Sequence, residues 1–161
     1  MAASHGGPLI VPVTVRWSDL DAYGHVNNAA VVTLLEEARV AALWRTGRPG
    51  EAPSNAVPGG PDAPVRTFVV RQEIEHRTPL RYPAGPLPVR LWFARVGAAD
   101  LVVAYEVPAG PAPDAPVAVI ATTTLAVVDA VTSRPTRIGP DLRAVWEPYL
   151  APAPRFRHRP A

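Results

Sequence analysis

The chain has 161 residues, 48% of them hydrophobic, with 16 cationic and 14 acidic side chains and a formal charge of +2. This is enough apolar material for one globular domain with its own core. There is no Cys and no Lys, which excludes disulfides, thiolate-ligated metals, a cysteine nucleophile, a Walker-type phosphate loop and Schiff-base chemistry.

Residues 9–17 alternate, with Leu9, Val11, Val13, Val15 and Trp17 on one face and Pro12, Thr14 and Arg16 on the other. The pattern predicts a half-buried strand. Pro12 has no N–H to donate, which places that strand at a sheet edge.

A dense polar junction follows: Arg16-Trp17-Ser18-Asp19-Leu20-Asp21-Ala22-Tyr23-Gly24-His25-Val26-Asn27-Asn28. From Ala29 the period becomes helical, with Val31, Leu34, Leu35, Ala38, Ala41 and Ala42 on an apolar face and Glu36, Glu37, Arg39 and Arg45 on a polar one. Asn27 or Asn28 serves as N-cap. The helix is expected to reach about Thr46, with Gly47 as its stop.

Residues 48–64 are rich in Pro and Gly and read as a mobile loop. Strands are expected over 65–78, 87–96, 101–108 and 116–129, with a tight hairpin at Gly97-Ala98-Ala99-Asp100. The last of them, apolar or Thr on both faces, reads as central and covered. Residues 139–150 form a short terminal helix. The domain spans 1–150, and 151–161, rich in Pro and Arg, is expected to be disordered. One strand, one long helix and then four strands predict an α+β fold, an antiparallel sheet with the helix packed on it. A single helix covers only part of such a sheet, so a second subunit is the simplest further cover.

In the junction, Gly24 can take a positive φ and turn the chain into the helix. The first helical turn offers unsatisfied N–H groups and the positive end of the dipole, able to polarise a carbonyl. Asp21 is the better placed of the two carboxylates to act on that carbonyl, by attack or by activating water. Bland roles stand beside these: Asp21 as a turn cap, His25 bonding backbone in the turn, Asn27 and Asn28 as caps, Glu36 and Glu37 as a solvated face with an Arg partner, and His76 as structural. No two His share ligand spacing on one element, so no metal site is expected. Arg is spread along the chain, giving no nucleic-acid footprint.

The junction, with Glu36-Glu37-Ala38-Arg39 downstream and Glu75-His76-Arg77-Thr78-Pro79 further on, resembles the 4-hydroxybenzoyl-CoA thioesterase family of hotdog-fold acyl-CoA thioesterases, in particular its long-chain acyl-CoA branch. The resemblance implies a hotdog fold, a five- or six-stranded antiparallel sheet wrapped around one long central helix. It implies a homodimer, or a tetramer built from two, with active sites between subunits. Asp21 then matches the catalytic carboxylate, as nucleophile or general base, and the N–H groups near Asn27 and Asn28 match those that polarise the thioester. His25 joins that catalytic set. Tyr23, Gly24, Glu36, Arg77 and Arg81 are the implied substrate contacts. No cofactor is implied; coenzyme A belongs to the substrate. A hotdog module that binds acyl groups without cleaving them is the alternative. The first residues lack a basic segment followed by an apolar run, and no apolar run spans a bilayer, so a cytoplasmic protein without membrane insertion is expected.

Overall fold

The computed structural model describes residues 7–45, 56–58 and 62–157. Its main sheet has five strands, β1 (Leu9–Val13), β4 (Val65–His76), β5 (Leu87–Val96), β6 (Asp100–Pro108) and β7 (Val117–Asp129), in the order β1-β5-β6-β7-β4. Every neighbouring pair is antiparallel. The architecture is α+β, with helix α1 (Asn28–Leu43) packed on the sheet.

β1 pairs with β5 alone, so Pro12 does lie on an edge strand, and β7 is flanked by β6 and β4 as a central strand should be. β4 is the opposite edge. It presents Phe68, Val69 and Val70 at 50%, 44% and 61% exposure, an unusual amount of apolar side chain for an unpaired edge.

β1 stops at Val13, four residues short of the alternating pattern. The Asp19 carboxylate accepts the Arg16 N–H at 2.7 Å, and Trp17–Asp19 close into a 3₁₀ turn. A side chain that captures the backbone locally competes with the ladder. Trp17 accordingly leaves the core and stands exposed, its ring edge-on to Tyr82 at 5.9 Å.

α1 buries Val31, Leu34, Leu35, Ala38, Ala42 and Leu43 against the sheet. Two expectations about its faces fail. Ala41 is exposed, and Arg39 is 4% exposed rather than on the polar side. Arg39 is tolerated inside because its guanidinium donates to the buried Tyr105 hydroxyl at 3.4 Å and to Glu36 at 3.1 Å. The helix also ends earlier than expected. Trp44 is extended and, with Arg45, forms the short strand β2, parallel to β3 (Val57–Pro58). Val57 is fully buried, so the Pro/Gly-rich stretch supplies a core residue instead of being loop throughout. Gly47 and most of 48–64 lie outside the described residues.

The sheet's inner face carries Val89, Leu91, Phe93, Leu101, Val103, Tyr105, Val119, Ala121 and Leu125 into one core with α1. Helix α2 (Pro140–Trp146), followed by a 3₁₀ turn at Glu147–Tyr149, closes this core by stacking Trp146 near Phe93 at 5.2 Å. The strands at 87–96 and 117–129 fall within a residue of expectation. The strand expected over 65–78 ends at His76.

Residues 151–157 differ from the disorder their prolines suggest. They cross the outer face of the sheet as a strap. Ala151 N–H donates to Phe93 O at 3.0 Å, and Trp92 Nε1 donates to Pro152 O at 2.9 Å. Arg77 Nη2 then donates to Arg155 O at 2.9 Å, and Arg157 N–H donates to Glu75 Oε2 at 2.6 Å. Residues 158–161 lie outside the described residues.

Candidate functional site

The site begins with the turn at Asp21. The Asp21 N–H donates to His25 O at 2.7 Å, and Gly24 N–H donates to Asp21 O at 3.1 Å. Asp21 Oδ1 accepts the N–H groups of Tyr23 at 2.8 Å and His25 at 3.0 Å. This closed turn requires a left-handed residue, and Gly24 supplies it with φ of 74°. Donation from the His25 N–H, helped by Tyr23, holds the Asp21 carboxyl below the usual aspartate range, against a partial burial that pulls the other way. The group is an anchored, ionised carboxylate with its second oxygen outside these bonds.

The turn delivers the chain into α1. Asn27 is the N-cap, its Oδ1 accepting Ala29 N–H at 2.8 Å, and Asn28 Oδ1 accepts the same N–H at 3.0 Å. Asn27 N–H is itself engaged by Asp19 O at 2.8 Å, so it is not available to a substrate. Among the described residues the N–H groups of Asn28 and Ala30 meet no acceptor. They are the two donors that the start of α1 leaves open.

A second segment faces this one. Val26 N–H donates to Leu80 O at 2.7 Å, and His25 and Arg81 form a backbone bridge, tying residues 80–81 to residues 25–26. Between the segments lies a cleft of about 400 Å³ lined by Asp21, His25, Val26, Asn27 and Asn28 on one wall and His76, Arg77, Thr78, Pro79 and Leu80 on the other.

Five of the nine residues singled out from the sequence therefore come together: Asp21, His25, Asn27, Asn28 and Arg77. Gly24 and Tyr23 shape the turn without lining the cleft, Tyr23 being 85% exposed. Glu36 lies outside it, engaged with Arg39, and Glu37 pairs with Arg16 at 3.4 Å. The Arg77 guanidinium is bound to Glu75 Oε1 at 3.1 Å and to the strap, which leaves it poorly disposed toward a phosphate. Arg81 sits beside the cleft through its bridge to His25, exposed, and among the described residues its guanidinium holds no ion pair. His76, read from the sequence as structural, lines the cleft instead. Its place in the Glu75–Pro79 segment was the available signal. Among the described residues no cluster of three His, Asp or Glu could hold a metal ion, and no helix is long and apolar enough to cross a membrane.

The fold is one that solved thioesterase structures share. The sequence model of the thioesterase-like superfamily matches residues 15–145, most of the chain, and the chain belongs to that superfamily. Among solved structures, the PA2801 protein of Pseudomonas aeruginosa is 27% identical, with a TM-score of 0.68 over 84% of this chain and 95% of that one. The YbaW probable thioesterase of Escherichia coli is 22% identical, with a TM-score of 0.68 over 89% of this chain and 99% of that one. A thioesterase of Thermus thermophilus, solved with coenzyme A and zinc, is 22% identical, with a TM-score of 0.63 over 91% of this chain and 95% of that one. No curated protein matches the sequence.

Proposed function

We propose that the protein is an acyl-CoA thioesterase, hydrolysing a thioester to a free acid and coenzyme A. The observation that carries this reading is the juxtaposition of an ionised Asp21 carboxylate with the open Asn28 N–H at the start of α1, in one cleft. A thioester carbonyl seated against the Asn28 N–H meets a donor and the positive end of the helix dipole, which stabilise the oxyanion as it forms. Asp21 attacks the carbonyl carbon or removes a proton from the attacking water. The sulfur leaves with the electron pair of the C–S bond. Arg81 is the cation nearest to hand for the coenzyme's phosphates, since Arg77 is engaged elsewhere.

Partners and place follow the same reading. The exposed apolar run of β4 fits a second copy of the chain adding its own β4, which makes a homodimer with a continuous sheet. The tetramer is a pair of such dimers. The expected setting is the cytoplasm, without nucleic acid or membrane insertion.

The test is a panel of acyl-CoA thioesters followed by release of free thiol, with Asp21→Asn as the control. Release by the wild type, lowered at least about 100-fold by the substitution, is the expected result. One observation favours a second reading. The bonds from Tyr23 and His25 to Asp21 also suit a purely structural turn cap in a module that only binds acyl groups. Acyl-CoA binding with no thiol release would select that module.

A further inference from the structure

The two walls of the cleft differ in what they offer. The 21–28 wall supplies the Asp21 carboxylate and the open Asn28 N–H. A carbon attacked from that wall, with its oxygen turned to α1, becomes tetrahedral. Its remaining substituents, the acyl group and the sulfur, then project to the 76–80 wall. Pro79 and the nearly buried Leu80 are apolar and suit the acyl group. His76, Arg77 and Thr78 are the polar residues there, and the Arg77 guanidinium is taken up by Glu75 and Arg155 O.

Strand geometry aims His76. Cross-strand partners share a face, and His76 pairs with Val119, a core residue on the α1 side of the sheet. Its neighbours Glu75 and Arg77 point the other way, as the period of two requires. There they are bound to each other and to Arg155 and Arg157 of the strap. The Arg77 and Thr78 N–H groups both reach Ala118 O, at 2.7 and 3.3 Å, which fixes the strand end. The His76 ring is exposed, and among the described residues it holds no hydrogen bond or ion pair. A side chain held by its backbone and neighbours, yet with its own donor unengaged, is available to a ligand.

We propose that His76 contacts the leaving group: its imidazole N–H donates to the substrate sulfur as the C–S bond breaks. This assignment rests on the thioesterase reading above. The electron pair of the C–S bond goes to sulfur, the imidazole keeps its proton and stabilises the departing thiolate through the hydrogen bond, and the proton that Asp21 took from the attacking water ends on that thiolate. The sum is one water consumed, one acid and one thiol formed.

The test compares one acyl group, whichever the wild type cleaves fastest as its CoA ester, in two forms: the CoA thioester and the S-phenyl thioester. Thiophenolate departs readily without help; an alkyl thiolate departs less readily. For His76→Ala the expected result is a kcat lowered about 10- to 100-fold on the CoA ester, the size of a hydrogen bond to a developing charge, and by no more than about threefold on the S-phenyl ester. Thr78→Val serves as the control on the same wall, and His76→Gln, which keeps an N–H donor, should recover part of the loss. Equal losses on both esters, no loss on either, or leaving-group sensitivity that appears with Thr78→Val instead would overturn the role of His76 while leaving the thioesterase intact. A wild type inert toward both esters would remove the thioesterase reading itself, and this role with it.

Discussion

Asp21 and His25 close on each other twice. The Asp21 N–H donates to His25 O at 2.7 Å, and the His25 N–H returns to Asp21 Oδ1 at 3.0 Å. The carboxylate thus both builds the turn and belongs to the cleft, and substitutions can separate those duties. Asp21→Asn keeps an acceptor oxygen for Tyr23 and His25 but removes the charge. Asp21→Ala removes both. The expected outcome is loss of thiol release in both variants, with the larger fall in Tm for Asp21→Ala, which loses the acceptor as well as the charge. Activity and thermal unfolding, measured on the same preparations, check it.

The same bonds set a pH dependence. Donation from His25, helped by Tyr23, holds the Asp21 carboxyl below the ordinary aspartate range in the folded state. A depressed carboxyl contributes stability above its unfolded pKa, and that contribution disappears as pH falls through the folded value. The acid limb of kcat/KM should therefore lie below the ordinary aspartate value, with activity level from there through mildly acid pH. A limb centred at about pH 5 or above would show that another group is being titrated.

Gly24 holds its left-handed φ with open space where a Cβ would stand. Gly24→Ala therefore introduces backbone strain without a clash, about 1–2 kcal/mol. Urea denaturation should show a lower midpoint at constant m, with reduced thiol release because the turn carries Asp21.

Tyr105 is fully buried, and burial pushes its phenol pKa up, so it stays protonated. Its hydroxyl meets Arg39 at 3.4 Å. Tyr105→Phe leaves a buried guanidinium short of an acceptor, and a loss of about 1–3 kcal/mol is expected in denaturant unfolding.

Val70 is 61% exposed on the β4 edge, beside the irregularity between Val69 and Arg71. In a dimer joined along β4, Val70→Glu brings charge into the joint from both copies. Sedimentation equilibrium should show dimer for the wild type and monomer for the variant.

Much of the architecture was legible because it follows local periodicity. The alternation at 9–13, the helical spacing of Val31, Leu34, Leu35 and Ala38, and the hairpin at Gly97 all reflect neighbours within a few residues. The glycine turn and the Asn cap were legible for the same reason. What escaped depends on distant partners. Arg39 is inside because Tyr105 arrives from β6 to meet it, and nothing near position 39 announces that. Val57 is buried because it pairs with Trp44. His76 reaches the cleft because β4 ends where α1 begins. The strap's prolines argue for disorder, while its hydrogen bonds come from residues on β5 and at the end of β4.

The strap also sets an order of events during synthesis. Arg155 and Arg157 reach back 78 and 82 residues to Arg77 and Glu75, beside the cleft. Contacts this far apart in the chain form late, and a ribosome delivers the strap after every strand it binds. The β4 wall of the cleft is thus secured only once residues 151–157 have emerged, and a nascent chain carries the Asp21 turn and α1 well before it carries a finished site.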